Sequence, residues 1–473
     1  MYFRSEDTII APATIPGTGA ISVLRISGPE AFAATDRVVR FSRGSAATSE
    51  GYSLHFGRIM DGDRLIDEVL VGVFKAPHSY TGEDSTEISC HASKYIVSEI
   101  LRLFLDGGVR LAEPGEFTQR AFLSGKMGLA QAEAVADVIS SSSSASHRVA
   151  MNQMKGGFSK QLQSIRSQLL ELTSLLELEL DFSEEDVEFA DRGRLMDLLG
   201  KAISHTTALA DSFREGNAVK NGIPVAILGP ANAGKSTLLN ALLGEQRALV
   251  SDIPGTTRDT VEELMNLGGY TFRFVDTAGI RSSSDPIEKM GIERSFDAAK
   301  RAEILILVAD PTAAFSEFES FVNSLKSQVD FDDKKIIFVL NKSDICEQSG
   351  CNKFVTSYNK YVSSFDKEII VERVSGLTGF ALENLENDLL ASANSFLSSG
   401  HDVLVTNIRH YEALRQTSSA LESARLSLSK SLPPDLIAED LRAALSHLGS
   451  ITGSTISPDD ILGNIFKNFC IGK

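Results

Sequence analysis

Short apolar runs separated by turns dominate the chain as far as about Phe117. Residues 21–26 (Ile-Ser-Val-Leu-Arg-Ile) alternate apolar and polar, the mark of a strand with one buried face. Residues 69–74 are almost continuously apolar and end before Pro77, which predicts a buried strand. Residues 95–105 carry helical spacing, so this region reads as α+β. Beyond it the period lengthens. Residues 130–139 predict a helix, and Ile165, Leu169, Leu172 and Leu176 follow i, i+4, i+7, i+11 along another. The serine run 140–144 between them reads equally as a flexible linker or as a polar connection between helices.

From Ile223 the pattern changes again. Residues 225–228, 271–275, 304–309, 336–340 and 369–374 are strand-like, with helical stretches between several of them, which predicts a largely parallel sheet covered by helices. Helical spacing returns after about Ala391, with Leu414, Leu421 and Leu428, then Leu441, Leu445 and Leu448. The expected organisation is an α+β domain over 1–124, then a helical domain in two halves, 125–221 and 385–473, which pack together. An α/β domain over 222–384 is inserted between the halves.

Composition narrows the classes. At 42% hydrophobic and 23% charged residues the chain is neither disordered nor fibrous. Lys+Arg 46 against Asp+Glu 63 leaves a net charge of −17, so any nucleic-acid contact needs a local basic patch or a partner. Cys90, Cys346, Cys351 and Cys470 form no C-x-x-C pair, which argues against structural zinc and for free thiols. No run approaches the ~18 apolar residues needed to cross a bilayer, and the N-terminus has no apolar signal core. The expected location is cytoplasmic, or an organelle matrix after processing.

The chemistry concentrates in the α/β segment. Gly229-Pro230-Ala231-Asn232-Ala233-Gly234-Lys235-Ser236 follows a strand and precedes an apolar helix, as in a phosphate-binding loop. Lys235 would reach the β- and γ-phosphates, and the Ser236 hydroxyl would ligate Mg²⁺; Thr237 opens the helix. Asp276-Thr277-Ala278-Gly279 ends a later strand, where a carboxylate holds Mg²⁺ through water and a glycine N–H meets the γ-phosphate. Asn341-Lys342-Ser343-Asp344 ends another. Its Asp carboxylate can accept both N1–H and N2–H₂ of guanine, a donor pair adenine lacks. Ser375-Gly376-Leu377 would complete the base pocket, with Gly376 where such loops usually have alanine. Between the first two motifs, Ser251-Asp252-Ile253-Pro254-Gly255-Thr256-Thr257 suits a mobile loop whose Thr257 hydroxyl joins Mg²⁺ when the γ-phosphate is present. The five elements together resemble the translation-factor-related GTPases. Ile280, after Gly279, cannot orient water as a glutamine there would, so another group must do so.

Further segments narrow the resemblance: Asp7-Thr8-Ile9-Ile10-Ala11, Leu24-Arg25-Ile26-Ser27-Gly28, Ser79-Tyr80-Thr81-Gly82-Glu83-Asp84, Pro114-Gly115-Glu116-Phe117, Leu129-Ala130-Gln131-Ala132-Glu133 and the terminal Phe469-Cys470-Ile471-Gly472-Lys473. With the inserted P-loop domain, they resemble the MnmE (TrmE) family of tRNA modification GTPases over essentially the whole chain. Neither a ribosome-assembly GTPase nor a signalling switch accounts for these segments.

The resemblance implies a homodimer that works with an FAD-containing partner, MnmG, in a heterotetramer or larger complex. Together they add an aminomethyl or carboxymethylaminomethyl group at C5 of the wobble uridine of certain tRNAs. The one-carbon donor would be 5,10-methylene- or 5-formyltetrahydrofolate, bound by an N-terminal domain that also dimerises. Arg25, Glu87, Lys126 and Lys473 match the family's folate positions. Arginine and lysine suit the folate's carboxylates, and Glu87 suits the pterin N–H groups. Asn232 matches a K⁺ ligand, with Ser251, Ile253 and Thr256 able to complete a cage. Ala231 stands before Asn232 where the family usually has proline. Glu288 matches a catalytic glutamate that orients water through a second water. Cys470 matches a C-terminal cysteine that is either a nucleophile or a packed, inert thiol.

Overall fold

A computed structural model describes residues 7–181, 192–244, 262–275, 296–349, 352–365, 369–397, 403–453 and 472. These fall in two compact units, one drawn from 1–139, 153–206 and 413–473 and the other from 140–152 and 207–412.

The first unit opens with β1 (Ile9–Pro12), β2 (Ile21–Ser27), α1 (Ala31–Val38), β3 (Val39–Phe41), β4 (Ser53–Asp61), β5 (Arg64–Phe74), β6 (Ser85–His91), α2 (Lys94–Asp106), β7 (Arg110–Leu111), α3 (Glu116–Leu123) and α4 (Leu129–Ser140). The strands form a seven-stranded sheet in the order β3-β4-β5-β6-β2-β1-β7, antiparallel except where β1 meets β7. Alternation along β2 buries Leu24 and Ile26 with Val71, Ile88, Ile100 and Phe104. Arg25, between them, lies on the opposite face. Gly28 follows β2 at φ 133°, and a Cβ there would stand 2.7 Å from the Asp7 carbonyl, so the close approach of β1 requires glycine.

Next come α5 (Ser144–Met154), α6 (Gly157–Asp181), α7 (Arg192–Asp211) and α8 (Phe213–Asn221). The leucine stripe of α6 is buried as its spacing predicts, with Ile165, Leu169, Leu172 and Leu176 all at most 2% exposed. The serine run is a polar connection. Ser143 and Ser146 cap each other's backbone N–H across the start of α5, at 3.1 and 3.2 Å. Ala145 N–H donates to the Gly269 carbonyl at 3.1 Å.

The second unit holds β8 (Ile223–Leu228), α9 (Lys235–Leu243), β9 (Glu263–Leu267), β10 (Tyr270–Phe274), β11 (Ile304–Ala309), α10 (Phe315–Lys326), β12 (Lys335–Leu340), α11 (Ser343–Ser349), α12 (Asn352–Val362), β13 (Ile370–Arg373) and α13 (Leu382–Phe396). The sheet runs β13-β12-β11-β8-β10-β9. All pairs are parallel except β9–β10, joined by Gly268 and Gly269 at positive φ. Strand β9 had no sequence prediction, because Glu-Leu-Met-Asn-Leu shows neither strict alternation nor β-branched residues; it pairs at the sheet edge. Side chains on one sheet face pack against α9 and α13 through Leu238, Leu242, Leu385 and Leu389. Those on the other pack against α10 and α12 through Phe318, Val322 and Tyr358. The architecture is mixed, α+β around the antiparallel sheet of the first unit and α/β around the largely parallel sheet of the second.

The last helices are α14 (Ile408–Ser429) and α15 (Pro434–Thr452). Leu414, Leu421 and Leu428 are buried. On α15 the stripe is rotated from the expected one. Leu445 is half-buried, and Ala438, Leu441, Ala444 and Leu448 form the covered face. Two alanines on that face allow α15 to lie close along α6, its principal helix partner.

Chain entry to the α/β unit and chain exit meet. Val405 N–H donates to Ser212 Oγ at 3.1 Å, and Phe213 stacks on Tyr411 at 4.7 Å between centroids. Arg214 clamps Glu303 at 3.0 Å, just before β11. A Cβ at Gly216 would overlap the Val405 carbonyl oxygen. Gly216→Ala should therefore destabilise the fold by about 1–3 kcal/mol through overpacking. It should do so although alanine is the better helix former by ~0.5–1 kcal/mol. A thermal melt with unchanged or raised Tm would show that this close approach does not limit the site.

Candidate functional site

The loop between β8 and α9 gathers its backbone N–H groups at the N-terminus of a helix. Asn232 (φ 61°) and Gly234 (φ 86°) adopt left-handed conformations that turn the chain around the cavity. A Cβ at Gly229 would collide with the Val308 carbonyl, and one at Gly234 with the Asn341 amide, so both glycines are dictated by packing. Lys235 Nζ lies across the loop and donates to the carbonyls of Gly229 (2.9 Å) and Pro230 (2.7 Å). Burial lowers its pKa to about 8. Ser236 and Thr237 occupy the first turn of α9. Asn232 is exposed, as is Ala231.

Residues 341–344 and 375–377 close over this loop. Asn341, 2% exposed, donates from Nδ2 to the Ala233 carbonyl at 3.0 Å and accepts the Gly376 N–H at 3.1 Å. Ser375, fully buried, donates to Asp344 Oδ1 at 2.6 Å and holds that carboxylate in one orientation. Ser343 N–H donates to the Val374 carbonyl at 3.1 Å. Leu377 is largely exposed beside them. At Gly376 a Cβ would stand 3.0 Å from Leu238 N and Cα, so the loop with glycine in place of alanine sits directly on α9.

Asp310 was not singled out in the sequence. Lys342, at φ 57°, pairs with Asp310 at 2.6 Å. Asp310 also accepts the Thr312 N–H and hydroxyl at 2.8 and 2.6 Å. Burial raises the Asp310 pKa, but the bonds from Lys342 and Thr312 outweigh it and hold the carboxyl below its ordinary value. The missed signal was an acid directly after a parallel strand, β11, at the carboxyl edge where such sheets bind ligands.

In the first unit Arg25 and Glu87 face each other across β2 and β6 and form an ion pair at 2.8 Å. The Arg25 guanidinium lies 4.9 Å from the Tyr80 ring centroid and 5.7 Å from that of Phe117. Its Nη1 reaches the carbonyl of Gly472, which is buried, at 3.5 Å. Lys126 Nζ donates to the Pro77 carbonyl at 2.8 Å. Three carboxylates converge nearby on one guanidinium. Arg120, with a 4% exposed side chain, binds Asp7 at 2.7 Å, Glu116 at 3.0 Å and Glu83 at 3.2 Å, and Glu83 also accepts the Ser27 hydroxyl at 2.8 Å. Burial opposes ionisation of Asp7 and Glu116, yet bonds from Arg110 and Arg120 hold both carboxyls below their ordinary values. Cys90 is buried and its thiol pKa is pushed up to about 11, mainly by desolvation.

Residues 251–257, Asp276, Thr277, Ala278, Gly279, Ile280, Glu288, Cys470 and Lys473 lie outside the described residues. The structure thus unites the phosphate loop with Asn341–Asp344 and Ser375–Leu377, and joins Arg25 to Glu87. Among the described residues no helix is long and apolar enough to cross a membrane.

Comparison with known proteins adds to this geometry. Residues 129–470 match the model of the MnmE helical domain, and residues 8–126 match that of the GTP-binding protein TrmE N-terminus. A tRNA modification GTPase MnmE from Bacteroides fragilis (strain YCH46) is 48% identical over 471 residues, covering 99% of this chain and 100% of that protein. Its counterpart from Bacteroides thetaiotaomicron is 47% identical over 471 residues, again 99% and 100% of the two chains. That from Porphyromonas gingivalis is 46% identical over 477 residues, covering 100% of this chain and 99% of its own. Among solved structures, the G domain of the T. maritima FeoB iron transporter covers 36% of this chain and 98% of its own at 24% identity, with a TM-score of 0.26, too low to carry weight. Full-length identity of this order, with the two models matched over 8–126 and 129–470, means that the chain belongs to the MnmE (TrmE) family of tRNA modification GTPases.

Proposed function

We propose that this GTPase acts in the modification of the wobble uridine at C5, as a homodimer working with an FAD-containing MnmG-type partner and a tetrahydrofolate one-carbon donor. The observation that carries the reading is the full-length match to tRNA modification GTPases in a chain where Asn341 ties the loop before α9 to its neighbours and Ser375 holds the Asp344 carboxylate. In this reading residues 1–124 bind folate and dimerise, 125–221 and 385–473 form the helical domain, and 222–384 hydrolyse GTP in the cytoplasm.

Asp344 accepts N1–H and N2–H₂ of guanine, and Ser375 fixes its carboxylate for that task. Lys235 gives up its two carbonyl partners for the β- and γ-phosphates, whose negative charge favours its ammonium form. The left-handed turn at Asn232 and Gly234 suits the loop to a polyphosphate bound by backbone N–H groups. Ser236 and Thr257 would hold Mg²⁺, which neutralises charge between the β- and γ-phosphates. Asn232, whose side chain is free to reach outward, would hold K⁺ with Ser251, Ile253 and Thr256, adding positive charge where the transition state develops negative charge. Glu288 orients the attacking water in place of Ile280. Arg25 and Glu87 offer a cation and an anion side by side, complementary to the carboxylates and pterin edge of a folate, with Lys126 and Lys473 as further cations. Cys470 acts as a nucleophile or packs as an inert thiol.

A strain lacking this protein should lose the modified wobble nucleoside in mass spectra of digested tRNA, and plasmid-borne wild type should restore it. An unchanged nucleoside profile would remove tRNA modification from the reading. Purified protein should hydrolyse GTP and not ATP, and Asp344→Asn should shift preference toward xanthosine triphosphate, since the amide inverts the pairing at C2. Equal turnover of ATP and GTP by wild type would overturn the base-reading assignment. Hydrolysis should be faster in K⁺ than in Na⁺ at equal ionic strength, with Asn232→Ala abolishing the difference. Equal wild-type rates in the two salts would rule out the cation cage.

A further inference from the structure

An acidic chain that itself touches tRNA meets the phosphate backbone most favourably where its own carboxylates are absent. Residues 138–170 contain no Asp or Glu, although at the chain's overall acid content a stretch of this length would carry about four. The same stretch holds Arg148, Lys155, Lys160 and Arg166. Three of these, Lys155 in the turn before α6 and Lys160 and Arg166 on its first half, belong to the first unit and are exposed.

The cations here are unpaired among the described residues and are segregated from acids along the helix. Exposed and half-exposed arginines elsewhere in the unit, such as Arg58, Arg64, Arg102 and Arg110, each pair with a carboxylate. Lys155, Lys160 and Arg166 have no carboxylate partner among the described residues. Helix α6 is also segregated along its length. Its first half carries only cations, and Glu171, Glu177, Glu179 and Asp181 follow in the second. Leu162, Ile165 and Leu169 bury the opposite side, and at 100° per residue Lys160 falls near the middle of the open arc and Arg166 at its margin. Gln161, Gln163, Ser164 and Ser167 fill the rest of that arc with neutral hydrogen-bonding groups, the side chains that accompany lysine and arginine on phosphates and sugars.

We propose that the basic first half of α6, with Lys155 before it, is a docking surface for the sugar–phosphate backbone of tRNA. The proposal rests on tRNA being the substrate. Positioning is by charge, with no base reading, so the surface contributes affinity and salt dependence rather than sequence choice.

The test uses the full-length protein and a fluorescently labelled tRNA transcript. K155A/K160A/R166A should weaken binding about tenfold or more near 100 mM salt, and lower the log–log salt slope by roughly two to three, one phosphate contact per cation. GTP turnover should stay at the wild-type level, which also reports that the variant is folded. A control, K300A/K353A/K360A, removes the same charge from the other unit and should change affinity less than about twofold. Unchanged affinity and slope in the first variant, or equal loss in both, would overturn a local docking surface. So would loss of binding to an acidic protein partner with tRNA affinity intact. If the deletion strain loses its wobble nucleoside while the triple variant binds tRNA normally, only this surface fails; if the deletion changes no nucleoside, the underlying reading fails.

Discussion

The three loops that follow β8, β12 and β13 hang on one buried amide. Asn341 uses both ends of its carboxamide, one on the Ala233 carbonyl of the phosphate loop and one on the Gly376 N–H of the base loop. At 2% exposure neither partner has water to fall back on, so losing the side chain would strand a donor and an acceptor together. Three loops from three strand ends are thereby held at one spacing before any ligand arrives. Gly234 and Gly376 are the counterpart of that bond. Each lacks the Cβ that would push the loops apart, so close packing and hydrogen bonding specify the same distance.

The N-terminal sheet solves a similar problem with charge instead of an amide. Asp7, Glu83 and Glu116 come from distant parts of the chain and share the Arg120 guanidinium. A buried arrangement of this kind adds little net stability over an apolar core. It does penalise any misplaced segment, because an uncompensated carboxylate would be left inside. The turn carrying Tyr80, which stacks over Arg25, is consequently held from below by Glu83 and Thr81.

Much of this was legible in the sequence, for identifiable reasons. The α/β strands are near-continuous apolar runs because parallel strands are buried on both faces, and the helix stripes of α6 and α14 repeat over several turns. The phosphate and base motifs are local, so their chemistry can be read within a few residues. Strand β9 was missed because an edge strand lacks a distinctive pattern. Leu445 was misplaced because i+3 and i+4 steps are nearly degenerate on a helix until a partner chooses between Leu445 and Ala444. Asp310 was missed because its meaning lies in a partner, Lys342, that is distant in sequence. The pairing of Arg25 with Glu87 required cross-strand register, which no local spacing encodes.

The meeting of Ser212 with Val405 has a consequence for how the chain is made. These residues are 193 positions apart, yet a single hydrogen bond joins them. To the helices on either side, the whole α/β segment is therefore equivalent to a tight turn. A chain emerging from a ribosome can complete that segment as a self-contained body, and its completion brings the two flanking stretches into proximity. The large loop-closure entropy that would otherwise oppose pairing α6 with α15 is then met by the folding of the insertion rather than by the helices themselves. In the order of synthesis all of residues 212–405 precede α15.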